Sequence, residues 1–367
     1  MSIHSISFHN FRNLQHTSLT FDKHLNFITG LNASGKTSLL ESIYYLSTGR
    51  SFRTRKFENV ISKSNDASEF ILYGETLDSS QNKVTHSIGI KKSKVSKTQI
   101  KLNGQNIKSA STLAYLSPVI VIDPISFGLL SGPPKSRRKF LDWGVFHVEH
   151  PFTKVWNKYI YCLKQRNSIL RTGKIDRLQL CVWDKQIVEL GEQIHLYRAA
   201  YAESYIAHVH DVLKQLQLNE NIKINYYKGW EKNSSLEQMF EQFLTKDIDR
   251  KFTQYGPHRA DLKITVNGKS VDETLSRGQQ KLLVVALHIA HIQSLLASVN
   301  KKTVVLIDDI TAELDKYNLS HVFSLLQKLD TQIICTLLNV EELNTTIKCN
   351  ETYNMFHVEH GDIKAIE

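Results

Sequence analysis

Paired cysteines are missing from this chain. Its four cysteines, Cys162, Cys181, Cys335 and Cys349, form no C-x-x-C pair and stand singly in apolar or helical stretches. That excludes a disulfide framework and leads us to expect buried, reduced thiols. A secretory signal is also missing, because Met1-Ser2-Ile3-His4-Ser5-Ile6 has no basic region followed by an apolar one. Apolar runs such as Val119-Ile120-Val121-Ile122 and Val304-Val305-Leu306-Ile307 are short, against the roughly 20 residues that span a bilayer. No sustained heptad builds a coiled-coil arm, and no aromatic ladder is laid out for single-stranded nucleic acid. The expectation is a cytoplasmic protein without a membrane partner.

Acidic residues are in deficit too. Lys plus Arg number 46 against 36 Asp plus Glu, giving a net charge of +10. Such a balance favours polyanions, nucleic acid or anionic lipid, through steering and counterion release. What is present is ordinary globular material, 41% hydrophobic and 22% charged over 367 residues, enough for two domains.

Residues 3–8 and 18–21 alternate apolar and polar positions as half-buried strands do, and 25–29 reads as a third strand. From residue 36 onward, Leu39, Leu40, Ile43, Tyr44 and Leu46 fall at helical spacing. A strand meander follows over 70–102, with a hairpin turn at Asn103-Gly104 and a basic tip of Lys91, Lys92 and Lys94. Residues 137–218 hold no convincing strand, and 184–218 predicts one long helix. Gly256-Pro257-His258 reads as the turn by which the chain re-enters its first domain, followed by a helix over 281–299 and strands over 304–307 and 333–337. The last segment, 357–366, reads as an edge hairpin. Expected domains are therefore 1–116, an inserted mainly helical lobe at 117–250, and 251–367. The run Phe-His-Val-Glu-His occurs at Phe146 and again at Phe356, spaced as possible zinc ligands but without a third ligand cluster, so structural contacts are the expectation.

Gly30-Leu31-Asn32-Ala33-Ser34-Gly35-Lys36-Thr37 fits G-x-x-x-x-G-K-[ST], with Ser38 next, between the predicted strand and helix. In that setting backbone N–H groups and the helix N-terminus face phosphate oxygens, Lys36 reaches the β- and γ-phosphates, and the Thr37 hydroxyl sits on Mg²⁺. Asp308 ends an apolar strand, where a carboxylate holds the metal from the far side. Asp309 follows; since neighbouring strand residues point opposite ways, one serves Mg²⁺ while the other polarises the attacking water. Helix capping or a solvated charge is the alternative for Asp309. Glu313-Leu314-Asp315 then offers an acidic pair at a nucleotide edge. Leu275-Ser276-Arg277-Gly278-Gln279-Gln280-Lys281 forms a second anion-binding corner, with the helix counted from Gln279.

These segments resemble the ABC-type ATPase heads shared by transporters and SMC proteins. Phe11-Arg12-Asn13-Leu14, Gly49-Arg50-Ser51-Phe52-Arg53-Thr54, Arg137-Arg138-Lys139-Phe140-Leu141-Asp142, Lys164-Gln165-Arg166-Asn167 and Gly256-Pro257-His258-Arg259-Ala260-Asp261 narrow the resemblance to the bacterial RecF family over nearly the whole chain. It implies an α/β fold: an ABC-type P-loop head with mixed sheets and an inserted, mainly helical second lobe. It also implies ATP and Mg²⁺ as cofactors and an ATP-dependent homodimer on double-stranded DNA. The resemblance further implies that slow hydrolysis dissolves the dimer and that RecR and RecO cooperate in loading RecA at single-strand/duplex junctions. Carried over, residues 30–38 bind ATP, Thr37 and Asp308 hold Mg²⁺, Asp309 is the catalytic acid and Lys36 is catalytic as well as ATP-binding. Ser276, Arg277, Gly278 and Gln279 meet the nucleotide of the opposing subunit.

Two departures accompany the resemblance. Residues 118–124 contain no metal-linking glutamine, with Ile120 in its place, and Cys335-Thr336-Leu337-Leu338 contains no switch histidine. Both point toward slow turnover. Candidate DNA contacts are Arg50, Arg53, Arg55, Lys56, Lys91, Lys92 and Lys94. The alternative function is the ATP-hydrolysing subunit of a membrane transporter; a lone P-loop kinase or GTPase leaves residues 275–281 without a role.

Overall fold

Strand β1 (Ser2–His9) alternates, burying Ile3, Ile6 and Phe8, and pairs antiparallel with β2 (Thr17–Thr20). β3 (Leu25–Thr29) is buried at every position, as expected for a strand covered on both faces of a parallel sheet. The P-loop leads into α1 (Lys36–Thr48), whose Leu39, Leu40, Ile43 and Leu46 pack into the same core as Ile3, Ile6 and Phe8. β4 (Glu69–Asp78), β5 (Val84–Ser93), β6 (Gln99–Leu102) and β7 (Gln105–Asn106) complete an antiparallel sheet ordered β2-β1-β4-β5-β6-β7. The turn at Asn103-Gly104 joins β6 to β7 as expected. In this computed structural model the described residues are 2–63, 67–78, 84–96, 98–172, 177–218, 220–329, 331–338 and 352–366. The expected position of Cys349 lies outside them.

After α2 (Ser111–Leu116), β8 (Val119–Ile122) runs parallel to the strand that ends before Asp308. It therefore belongs to the first unit, residues 1–127 and 281–367, and the inserted unit starts at Gly128 rather than 117. Within the insert come α3 (Gly128–Ser131), α4 (Pro134–Val148), α5 (Phe152–Arg171) and α6 (Arg177–Gln215). The 39 residues of α6 span about 58 Å at about 1.5 Å per residue. Gly144 lets two of these helices approach closely, because a Cβ there would lie 2.1 Å from the Tyr201 ring. Arg198, fully buried, clamps α6 to α4 through two bonds to Asp142 at 2.7 and 2.9 Å and donates to the Pro257 carbonyl at 2.7 Å.

β9 (Ile222–Tyr227), α7 (Leu236–Gln242), α8 (Leu244–Arg250), β10 (Asp261–Val266), β11 (Lys269–Ser270) and α9 (Val271–Thr274) finish the insert, with a three-stranded antiparallel sheet ordered β11-β10-β9. The Gly256 turn is internal to this unit, because β10 pairs back onto β9. The chain returns to the first unit only at Lys281, inside α10 (Arg277–Val299). Among the described residues α10 is the one helix long and apolar enough to cross a membrane, contrary to the expectation from short runs; 72% of its most apolar window is buried, which marks a core helix.

β12 (Val304–Ile307), α11 (Lys316–Lys328), β13 (Gln332–Thr336), β14 (Tyr353–Glu359) and β15 (Asp362–Ile366) complete the first unit. Its mixed sheet runs β15-β14-β3-β13-β12-β8, with β14 and β15 as the expected edge hairpin. Cys162 and Cys335 are buried as expected, whereas Cys181 is exposed on the solvent side of α6. His147 packs against the Trp143 and Phe146 rings, His357 contacts the Thr29 hydroxyl, and no group of three metal-type ligands occurs among the described residues.

Candidate nucleotide site

The order β3, glycine loop, α1 builds the site. Gly30 adopts φ 146°, and a Cβ there would meet the Val358 carbonyl oxygen at 2.3 Å, so the loop passes β14 too closely for any side chain. Lys36 is buried inside the turn. Its Nζ donates to the carbonyls of Gly30 at 2.6 Å and Leu31 at 3.1 Å. The loop is braced from outside: Asn13 Nδ2 donates to the Ser34 carbonyl at 3.2 Å, and the Ser38 hydroxyl donates to Asn13 Oδ1 at 2.8 Å.

Thr37 Oγ1 donates to Asp308 at 2.9 and 3.1 Å, joining the helix start to the end of β12. Thr336, one strand over on β13, donates to Asp308 Oδ1 at 3.0 Å and accepts from the Asp309 backbone N–H at 2.9 Å. Burial pushes the Asp308 carboxyl above the usual carboxylate range; the Thr37 and Thr336 hydroxyls oppose that, while the charges of Asp309 and Asp123 reinforce it. Asp123 follows β8 beside it, raised chiefly by burial and steadied by Ser126. Strand alternation does not set the carboxylates of Asp308 and Asp309 apart. β12 ends at Ile307, and Asp309 takes a left-handed φ of 50°, which turns it into the pocket lining with Lys36 and Thr37.

A cavity of about 590 Å³ opens over the loop, lined by Leu31, Asn32, Ala33, Gly35, Lys36, Thr37, Ser38 and Asp309 together with Arg12, Asn13, Arg53 and Lys63. Arg12 makes a two-pronged pair with Glu41 of α1 at 2.7 and 2.8 Å, and Arg53 reaches the same carboxylate at 3.5 Å. Glu41 is fully buried. Sequence reasoning assigned no role to Arg12, Asn13, Glu41, Asp123 or Thr336; Arg12 and Asn13 stood only within a family-like segment.

Ser276 caps α10, its hydroxyl accepting from the Gln279 N–H at 3.3 Å while Gln279 Oε1 accepts from the Ser276 N–H at 2.9 Å. The helix therefore starts at Arg277 instead of Gln279, and Ser276, Arg277 and Gly278 are exposed. The acidic pair after β12 has structural work: Glu313 pairs with Lys281, and Asp315 caps α11 by accepting from the Asn318 N–H at 2.9 Å.

Of the sequence-derived DNA candidates, Arg50, Arg55, Lys56 and Lys94 are exposed and Arg53 lines the nucleotide pocket. Lys91 pairs with Glu69 at 2.8 Å, and the Lys92 ammonium lies 5.5 Å from the centre of the Phe57 ring.

The model of the RecF/RecN/SMC N-terminal domain matches residues 2–364. A DNA replication and repair protein RecF from Cellvibrio japonicus is 39% identical over 369 residues, covering 100% of both chains. Its counterpart from Pseudomonas aeruginosa is 37% identical, covering 99% of this chain and 97% of that one. A solved structure of the recombination mediator RecF with ATP in the RecFOR pathway superposes with a TM-score of 0.87 at 26% identity, covering 100% of this chain and 98% of that one. An SMC head bound to a winged-helix domain of ScpA shares the fold at a TM-score of 0.59 and 15% identity.

Proposed function

This chain belongs to the RecF/RecN/SMC N-terminal domain family of ATPase heads, and we propose that it is a DNA replication and repair protein whose ATP-driven homodimer clamps duplex DNA near single-strand gaps. In that role it acts in the cytoplasm with RecR and RecO to load RecA, and slow, DNA-stimulated hydrolysis releases the dimer. End-to-end similarity to replication and repair proteins disfavours the transporter alternative.

The loop residues 30–38 wrap the triphosphate, with α1 presenting its N-terminus. Lys36 exchanges the Gly30 and Leu31 carbonyls for phosphate oxygens. A hydroxyl and a carboxylate already 2.9 Å apart, Thr37 and Asp308, are hard oxygen donors suited to Mg²⁺. When bound there, the ion neutralises phosphate charge. Asp309, in the pocket lining, orients and polarises the attacking water. Without a glutamine in residues 118–124 or a histidine after β13, turnover is slow.

The observation that carries the dimer is the turn at Ser276, Arg277 and Gly278. All three are exposed, and nothing lies within 4 Å of a Cβ built at Gly278. A second nucleotide-bound copy has free approach to the capped end of α10. The test is molecular mass in solution without ATP, with ATP, and with ATP plus duplex DNA. The mass should double with ATP; a monomer under all three conditions sinks the clamp.

A further inference from the structure

We propose that the solvent face of α5 in the inserted unit is a docking surface for the phosphate backbone of duplex DNA. The proposal rests on the role in DNA repair proposed for this chain and names a surface that role leaves open.

Over its 20 residues α5 contains no Asp or Glu and five cations. One of them, Arg166, is fully buried and takes both nearby carboxylates, Asp184 at 2.5 Å and Asp247 at 2.6 Å. The other four, Lys154, Lys158, Lys164 and Arg171, are exposed, and none forms an ion pair among the described residues. At 3.6 residues per turn they fall within about 140° of the helix circumference. Lys154 and Lys158 are i,i+4 neighbours of like sign, a spacing that disfavours an isolated helix. A polyanion laid along the face reverses that repulsion.

The geometry suits a duplex backbone. From Lys154 to Arg171 the ridge runs about 25 Å, alongside which a duplex presents about 15 phosphate charges. Tyr161, 55% exposed on the same face, adds a hydroxyl donor for a phosphate oxygen. One aromatic ring is no stacking platform for successive bases, so the face fits backbone binding without base readout. The neighbouring helix α6 carries a further exposed cation, Lys185. By contrast, three cations of the first unit are already engaged: Lys91 with Glu69, Arg53 with Glu41, and Lys92 against Phe57.

The test uses the full chain with ATP and a blunt 30-base-pair duplex, with affinity measured across a salt series. Lys154→Ala/Lys158→Ala/Lys164→Ala/Arg171→Ala should lower the magnitude of the slope of log K against log salt by about 3 to 4, at roughly 0.9 for each phosphate no longer neutralised. ATP affinity and melting temperature should stay at wild-type values. The milder Lys154→Ala/Lys158→Ala variant should remove about half of that slope change, which keeps the test informative if the fourfold variant folds poorly. A wild-type slope in both variants overturns the proposal. So does loss of binding to phosphatidylserine vesicles with duplex binding intact, which assigns the face to a membrane. A wild-type chain that ignores duplex DNA overturns the role in DNA repair, and this surface with it.

Discussion

Thr336 Oγ1 lies 3.0 Å from Asp308 Oδ1 and donates to it, while the same oxygen accepts the backbone N–H of Asp309. One buried hydroxyl thus aims one carboxylate and fixes the backbone turn that carries the next. Thr336→Val keeps the shape of the side chain and leaves the Asp309 N–H without this acceptor. We expect a loss of about 1 to 3 kcal/mol in stability and weaker Mn²⁺ affinity in the nucleotide complex, read by electron paramagnetic resonance. Thr336→Ser should restore both. A valine variant with unaltered Mn²⁺ affinity contradicts this role.

Asp309 is assigned to the attacking water, so Asp309→Asn should lower kcat by about 100-fold or more. ATP affinity should hold near wild type, and the ATP-dependent dimer should persist longer. Steady-state hydrolysis together with the lifetime of the dimer checks this; undiminished turnover removes Asp309 from the chemistry.

Ser276→Arg places a bulky cation on the exposed turn. Dimerisation should be lost with ATP binding intact, whereas Lys36→Met should abolish both. Nucleotide binding by equilibrium dialysis beside sedimentation separates the two variants. If Ser276→Arg also loses nucleotide, the turn acts within its own subunit.

Acid should weaken the fold through His258. Burial pushes its imidazole down to about 4, and the ring is held neutral between the Tyr159 hydroxyl at 2.7 Å and the Thr253 carbonyl at 3.1 Å. The unfolded chain titrates near 6.5, so below that pH it binds more protons than the native state. The stabilisation is complete above about 6.5 and is lost as pH falls toward 4, by up to about 3 kcal/mol. His288, also pushed down to about 4 by burial, acts in the same direction. Denaturant unfolding at pH 7.5 and 5 should show the drop, and His258→Gln should flatten it in part. A pH-independent midpoint contradicts the assignment.

Much of the site was legible because its signals are local. The P-loop pattern and the strand-like segment before it place strand, loop and helix at residues 25–37, where all three appear as read. Asp308 is likewise marked by the apolar strand before it. Thr336 was invisible for a physical reason: its role depends on the parallel register that sets Ile307 beside Cys335, and that register is not written in either segment. Glu41 looks like one more polar residue on a helix until Arg12 and Arg53 meet it across 29 and 12 residues of chain. The Gly256 turn misled in the other direction. Gly-Pro punctuates a chain wherever it bends, and here it bends inside the insert.

Lys36 rests on two carbonyls of its own loop. Any anion that takes the ammonium therefore displaces two existing hydrogen bonds to neutral carbonyls, and the contact yields only the difference between those and the stronger charge-assisted bonds that replace them. The loop itself is braced by Asn13, which accepts from Ser38 and donates to the Ser34 carbonyl. Discrimination then falls on the groups past the loop. A simple phosphate gains only that difference, while a nucleotide long enough to reach Lys63 in the pocket lining adds an attraction that the exchange at Lys36 does not reduce.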